Sequence, residues 1–141
     1  MKTLYVCGFC FDYQRENVVL IRKNRPDWQK GKLNGVGGHV NVNEKPIDAM
    51  SREFMEEAGV DVWAWNEFCV YEGDDYIVHF FKAFSQSIDK VRTITDEIVG
   101  IYELTPFLFN DTLPNLKWLI PLALDIRIGS VSVNENLNEN K

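Results

Sequence analysis

With 141 residues, 45% of them hydrophobic and 13% aromatic, the chain fits one compact domain with enough apolar side chains for a core, and one domain is the expectation. A formal net charge of −6 and a pI near 4.9 argue against binding a nucleic-acid polymer, which needs a basic face to displace counterions. An acidic protein can still bind a phosphorylated small molecule when a divalent cation bridges carboxylate and phosphate oxygens.

The opening residues MKTLYVCGFCFDY lack the basic start and apolar run of an export signal, and no later stretch approaches the roughly 18 apolar residues of a membrane span. The expectation is a cytoplasmic protein with no membrane partner, either monomer or homodimer. Three cysteines, Cys7, Cys10 and Cys69, are too few for a disulfide framework. Cys7 and Cys10 form a CxxC with no second metal pair, and read as buried thiols on a strand rather than a redox or zinc motif.

In chain order, residues 3–12 and 17–22 read as two strands joined by the polar turn 12–16. Residues 23–33, with Lys23, Arg25, Pro26, Lys30, Gly31 and Lys32, have neither period and read as a basic loop. Gly35, Gly37 and Gly38 follow, and a helix is expected from about 46 to 58. Ile47, Met50, Phe54 and Ala58 would form its apolar stripe, with Pro46 in the first turn and Gly59 as the stop. Residues 60–71 and 76–84 read as a hairpin turning at Glu72–Asp75, 85–96 as a loop, and 97–104 as another strand. A C-terminal helix is expected at about 114–127, with Pro121 either a kink or a sign of a later start. The domain is expected to span 1–128, with 129–141 a polar, disordered tail. This order predicts an α/β fold, a mixed sheet between helices.

Glu53, Glu56 and Glu57 stand at i, i+3 and i+4 of the expected helix, so three carboxylates share a flank away from the apolar stripe. Their repulsion costs a few tenths of a kcal/mol per adjacent pair unless a cation binds among them. Magnesium suits such a place because it takes oxygen ligands and is usually held by one or two carboxylates together with substrate phosphates. The glycines at 35–38 allow backbone to approach a ligand closely.

Gly38, Glu44, Arg52, Glu53, Phe54, Glu56, Glu57, Gly59 and Val60 fill every specified position of the Nudix box, which the segment therefore resembles. The resemblance implies a Nudix-type α/β/α sandwich with a loop-helix-loop catalytic box and a C-terminal helix. It implies hydrolysis, aided by Mg2+ or Mn2+, of a phosphoanhydride bond in a nucleoside diphosphate linked to another moiety. It makes Glu53, Glu56 and Glu57 the expected metal ligands, with a backbone carbonyl from Gly37 or Gly38. Arg52 would orient a neighbouring glutamate, and Glu44 would steady the loop against the helix. Glu97, in Thr95-Asp96-Glu97, matches a later position of MutT-type members and is expected as metal ligand or base, the base being either Glu97 or Glu53.

A second resemblance narrows the substrate. Lys32-Leu33-Asn34-Gly35-Val36-Gly37-Gly38 is similar to a segment of oxidised-purine nucleoside triphosphatases, which implies a nucleoside triphosphate substrate cut to monophosphate and pyrophosphate. Asn34 would be a base contact, or else a plain turn asparagine. Where those enzymes read the oxidised base with a tryptophan and paired aspartates, this chain has Leu113, Asn115 and Leu116, which puts oxidised-base selectivity in doubt. ADP-ribose, a nucleotide sugar, a dinucleoside polyphosphate and a non-catalytic nucleotide-binding module stand as alternatives. Arg22, Lys23, Arg25 and Lys32 would meet outer phosphates or serve the surface. Gly37 belongs with the substrate-binding loop. Trp28, Tyr76 and Trp118 would stack on a base or pack in the core.

Overall fold

A computed structural model of the chain describes residues 1–135. Its first strands, β1 (Thr3–Phe11) and β2 (Asn17–Arg22), pair antiparallel with Cys10 opposite Val19. The polar turn between them is built on Asp12, whose carboxylate accepts the backbone N–H groups of Glu16 and Asn17 at 2.8 and 3.1 Å and the Asn17 amide at 2.8 Å.

Next come β3 (Leu33–Asn34), β4 (Val36–His39) and helix α1 (Pro46–Ala58). They are followed by β5 (Asn66–Glu72), β6 (Tyr76–Phe84), β7 (Ile98–Glu103), helix α2 (Leu116–Leu124) and β8 (Val131–Asn134). Among the described residues eight strands form one sheet in the order β3-β2-β1-β6-β5-β8, with β4 on β1 and β7 on β2. The sheet is mixed, because β1 runs parallel to β6 and antiparallel to β2 and β4.

Alternation along β1 divides the core in two. Val6 and Cys10 join Val19, Met50, Phe54, Trp65 and Phe81 under α1. Cys7, Phe9 and Phe11 join Leu20, Phe68, Leu116, Leu119 and Ile120 under α2. A strand covered on both faces reads as one apolar run, as residues 3–12 do. The three cysteines are free and buried, and Cys7 has its pKa pushed up to about 12 by burial.

The segment 33–39 changes partner as it runs. Asn34 pairs with Ile21 on β2, whereas Val36 pairs with Gly8 on β1. At the crossing, a side chain on Gly35 would meet the Cys7 sulfur at 2.7 Å and the Gly8 carbonyl at 2.8 Å. Two residues on, Gly37 lies so close to β1 that a Cβ there would fall 1.9 Å from the Val6 carbonyl oxygen. The absence of a side chain at these glycines is what lets the segment lie against β1.

Several expected elements shift. Ile47 has a suitable angle on α1 but lies in the exposed first turn and is 41% accessible; Ala49, Met50, Ser51, Phe54 and Ala58 form the buried flank. The strand expected from 60 begins at Asn66, because Trp65 turns into the core, packs edge-on against Phe54 at 5.3 Å and donates its indole N–H to the Val62 carbonyl. The loop 85–96 holds a short 3-10 helix at Gln86–Lys90. Pro121 lies inside α2 and marks neither its start nor its end. Residues 131–134, expected within a disordered tail, add to β5 in parallel with Val70 opposite Ser132; β5 offers a free edge there, and strand pairing satisfies polar backbone whatever its side chains. The rest of the expected tail, 136–141, lies outside the described residues.

Replacing Gly37 by alanine should cost about 3 kcal/mol or more of stability, the high end for overpacking, since the clash is with backbone that cannot turn aside. Urea denaturation would read this as a lowered midpoint, and an unchanged midpoint would contradict the close approach.

Candidate active site

The box glutamates take their places because α1 packs its apolar flank under β1 and β4 and leaves Arg52, Glu53, Glu56 and Glu57 on the side toward the glycine loop. Helix α1 starts after Lys45 with Pro46 in its first turn and ends at Gly59, whose φ of 75° is left-handed and whose N–H bonds to the Met55 carbonyl.

Arg52 is the centre of the loop-helix junction. Its Nε and Nη2 donate to the two oxygens of Glu44 at 2.8 and 3.0 Å, and Nη2 also reaches the His39 carbonyl at 2.9 Å. Its Nη1 donates to Glu53 Oε1 at 2.9 Å and to Glu56 Oε2 at 3.2 Å. Glu44 Oε1 in turn accepts the Asn41 N–H at 2.9 Å. The bidentate Arg52–Glu44 pair raises the arginine pKa and lowers that of Glu44. Arg52 thus touches its neighbouring glutamates, and Glu44 ties the loop to the helix.

Glu53 lies directly over Gly38, where a Cβ would stand 2.5 Å from the glutamate's carboxyl carbon and 2.6 Å from either oxygen. Burial raises the Glu53 pKa against the pull of Arg52. Glu57 is more perturbed, pushed up to about 7 first by burial and then by the negative charge of Glu53, with Lys23 acting in the opposite sense. Its Oε2 is buried without a hydrogen-bond partner.

The donor set suits a hard divalent cation. All its donors are oxygens, Gly38 leaves its backbone open beside Glu53, and the orphaned Glu57 oxygen costs free energy until something positive reaches it. Among the described residues no three or more His, Cys, Asp or Glu side chains already converge as a cage. Glu53 and Glu56 are instead paired with Arg52, and Glu97 with Lys23.

Glu97 is only 4% exposed. Its Oε1 accepts Lys23 Nζ at 3.1 Å, and its Oε2 accepts the N–H groups of Asn24 at 2.6 Å and Arg25 at 3.4 Å. Asp96 completes the clip, pairing with the Arg25 guanidinium and accepting the Asn24 amide on its backbone carbonyl at 2.6 Å. This joining of 23–25 to 95–97 escaped the sequence reading. Two basic residues, Lys23 and Arg25, and an acidic pair, Asp96 and Glu97, stand in the sequence, but nothing in it matches partners some seventy positions apart.

The remaining candidates are placed less favourably. Arg22 is turned to Asp111 in a bidentate pair at 3.0 and 2.8 Å and to the Gly31 carbonyl at 3.0 Å, so it ties β2 to a neighbouring turn rather than facing phosphate. Asn34 Oδ1 accepts the Gly35 N–H at 2.8 Å and lies near the Cys7 thiol, while its amide donates to Gln29 at 3.3 Å; this is the bonding of a turn asparagine. Trp28 is 72% exposed and does not pack in the core, whereas Trp118 stacks on Tyr71, which stacks on Tyr76. Asn115 Oδ1 is buried without a partner.

A family model described as NUDIX domain matches residues 1–116. Comparison with curated proteins finds no match. Among solved structures the chain is similar to the NUDIX domain of Shewanella oneidensis NrtR complexed with ADP ribose, with TM-score 0.74, 16% identity, and 87% of this chain and 86% of that one covered. It is similar to MutT, from work on Aliivibrio salmonicida and Vibrio cholerae, with TM-score 0.67, 21% identity, and 86% and 98% covered. A MutT/nudix family protein from Enterococcus faecalis gives TM-score 0.65 at 20% identity over 73% of this chain, which spans only 44% of that protein's length. At such identities these likenesses establish the fold. Fold and family match together define a NUDIX-type domain. The chain belongs to the NUDIX family, whose hydrolases act on a nucleoside diphosphate linked to another moiety and typically use divalent metal ions. No helix among the described residues is long and apolar enough to cross a membrane.

The raised Glu57 pKa sets a pH dependence for the metal-free protein. Stability from this group is fully present below the unfolded value near 4.5 and is lost as the pH rises through about 7. Glu57→Gln should therefore gain on the parent across that window, by a few degrees in Tm at pH 8 and by nothing at pH 4.5, in chelator-treated samples. Equal Tm values at both pH values would show that Glu57 carries no burial penalty.

Proposed function

We propose that the chain is a Mg2+-dependent pyrophosphohydrolase, with Mn2+ able to substitute, and that it cuts a nucleoside triphosphate to monophosphate and pyrophosphate. The observation that carries this reading is the buried, partnerless Glu57 oxygen on the helix flank whose Glu53 carboxylate lies over Gly38. Glu53, Glu56, Glu57, the Gly38 carbonyl and Glu97 would hold the cation. When bound, the cation supplies Lewis acidity, making a water more acidic and neutralising charge on the bridging phosphate oxygen.

The chain's own residues do the positioning. Arg52 holds Glu53 Oε1, which leaves Oε2 to take the proton of the attacking water, and burial makes that oxygen more basic than an exposed carboxylate. Glu97 is the second candidate for this proton. Glu44 acts through Arg52 by fixing the guanidinium between loop and helix. Lys23, which pairs with Glu97 and whose charge is felt at Glu57, would meet a substrate phosphate.

Diphosphate-linked substrates such as ADP-ribose, nucleotide sugars or dinucleoside polyphosphates form the second reading. It is favoured by Leu113 and Leu116, both buried, so that neither presents a polar group to an oxidised base. The NrtR domain to which the chain is similar holds ADP ribose.

Glu56 is exposed and binds only Arg52, so Glu56→Gln should leave the Tm within a few degrees. The same change should lower turnover of the preferred nucleotide about a hundredfold. The check is product analysis across nucleoside triphosphates, ADP-ribose, nucleotide sugars and dinucleoside polyphosphates with Mg2+. Parental activity in the variant would remove Glu56 from the cation site, and nucleotide affinity without turnover under any divalent cation would make the chain a binding module.

A further inference from the structure

The carboxylates of the site differ in what already holds them. Glu57 Oε2 has no partner, whereas both oxygens of Glu97 are engaged. The bond to Glu97 Oε1 comes from Lys23, whose side chain is itself only 17% exposed. The charge of the same ammonium is also felt at Glu57, where it acts against burial. Lys23 is thus a nearly buried positive charge lying in the field of two carboxylates.

An ammonium and a divalent cation that seek the same oxygens repel each other, and in a site shielded from water that repulsion is strong. We propose that Lys23 is a resident counter-ion that competes with the divalent cation for Glu97 and Glu57, so that cation entry frees the Lys23 ammonium from Glu97. This rests on reading the carboxylates as the cation site. The exchange needs little motion. Glu97 Oε2 keeps the Asn24 and Arg25 N–H groups, the Asp96 clip stays closed, and only the lysine side chain turns from Oε1. Lysine suits this task as a compact charge on a flexible stem, whereas the fixed fork of arginine would hold the carboxylate more firmly. The freed ammonium is then available to a phosphate, so the cation binds before the polyphosphate.

The test is the Mn2+ binding isotherm by calorimetry, without nucleotide, for the parent, Lys23→Gln and Lys23→Gln/Glu97→Gln. Lys23→Gln should bind Mn2+ about tenfold more tightly than the parent, and most of that gain should vanish when Glu97 is also replaced. Unchanged or weaker binding in folded Lys23→Gln overturns the competition alone, while no Mn2+ binding to the parent overturns the cation site and the competition with it. A second measurement needs no variant: acetylation of Lys23 in the parent, read by peptide mass against exposed Lys90, should rise several-fold on adding Mn2+. Labelling that stays level or falls overturns the proposal even if Lys23→Gln does not fold.

Discussion

The site depends on how one guanidinium holds apart negative charges that the helix forces together. Arg52 reaches Glu44, Glu53, Glu56 and the His39 carbonyl, and so joins the end of β4, the following loop and two turns of α1. Without that cation, Glu53, Glu56 and Glu57 would repel one another along one flank, and the loop would have no fixed distance from the helix. A lysine could supply the charge but not the forked geometry that lets one group meet acceptors on both sides.

The sheet supplies the other half of the site. Because segment 33–39 leaves β2 at Asn34 and joins β1 at Val36, its end is carried across to α1 and brings Gly38 under the Glu53 carboxylate. Helix and strand are held there by Met50, Phe54 and Trp65 in one core, while α2 closes the opposite face with Leu116, Leu119 and Ile120. The two cores fix the glycine loop and the box helix relative to each other.

Charge is distributed unequally among the carboxylates. Glu44 is paired and hydrogen-bonded, Glu97 is saturated by Lys23 and two backbone N–H groups, and Glu57 is buried with an oxygen left over. The folded state is destabilised at Glu57 and stabilised at Glu44. Such a contrast marks where a positive ligand gains most, because the free energy of an unsatisfied buried charge is recovered only when that ligand binds.

The sequence by itself determined the local features. The 3.6-residue period and the Pro46 and Gly59 punctuation located α1, the apolar runs located β1, β2 and the hairpin of β5 and β6, and nine residues at fixed spacing carried the family resemblance. All of these depend on neighbours a few positions apart, which the chain order contains. Tertiary structure alone decided that Arg22 belongs to Asp111, that Lys23 and Asn24 belong to Glu97, that Gly37 is pressed against Val6 and that 131–134 extends the sheet. Those outcomes rest on which of several available charges or backbone edges comes within hydrogen-bond distance. Chain order does not contain that information, because residues 23 and 97 meet through the pairing of β2 with β7, Arg22 opposite Ile98, and spacing along the chain leaves that register open.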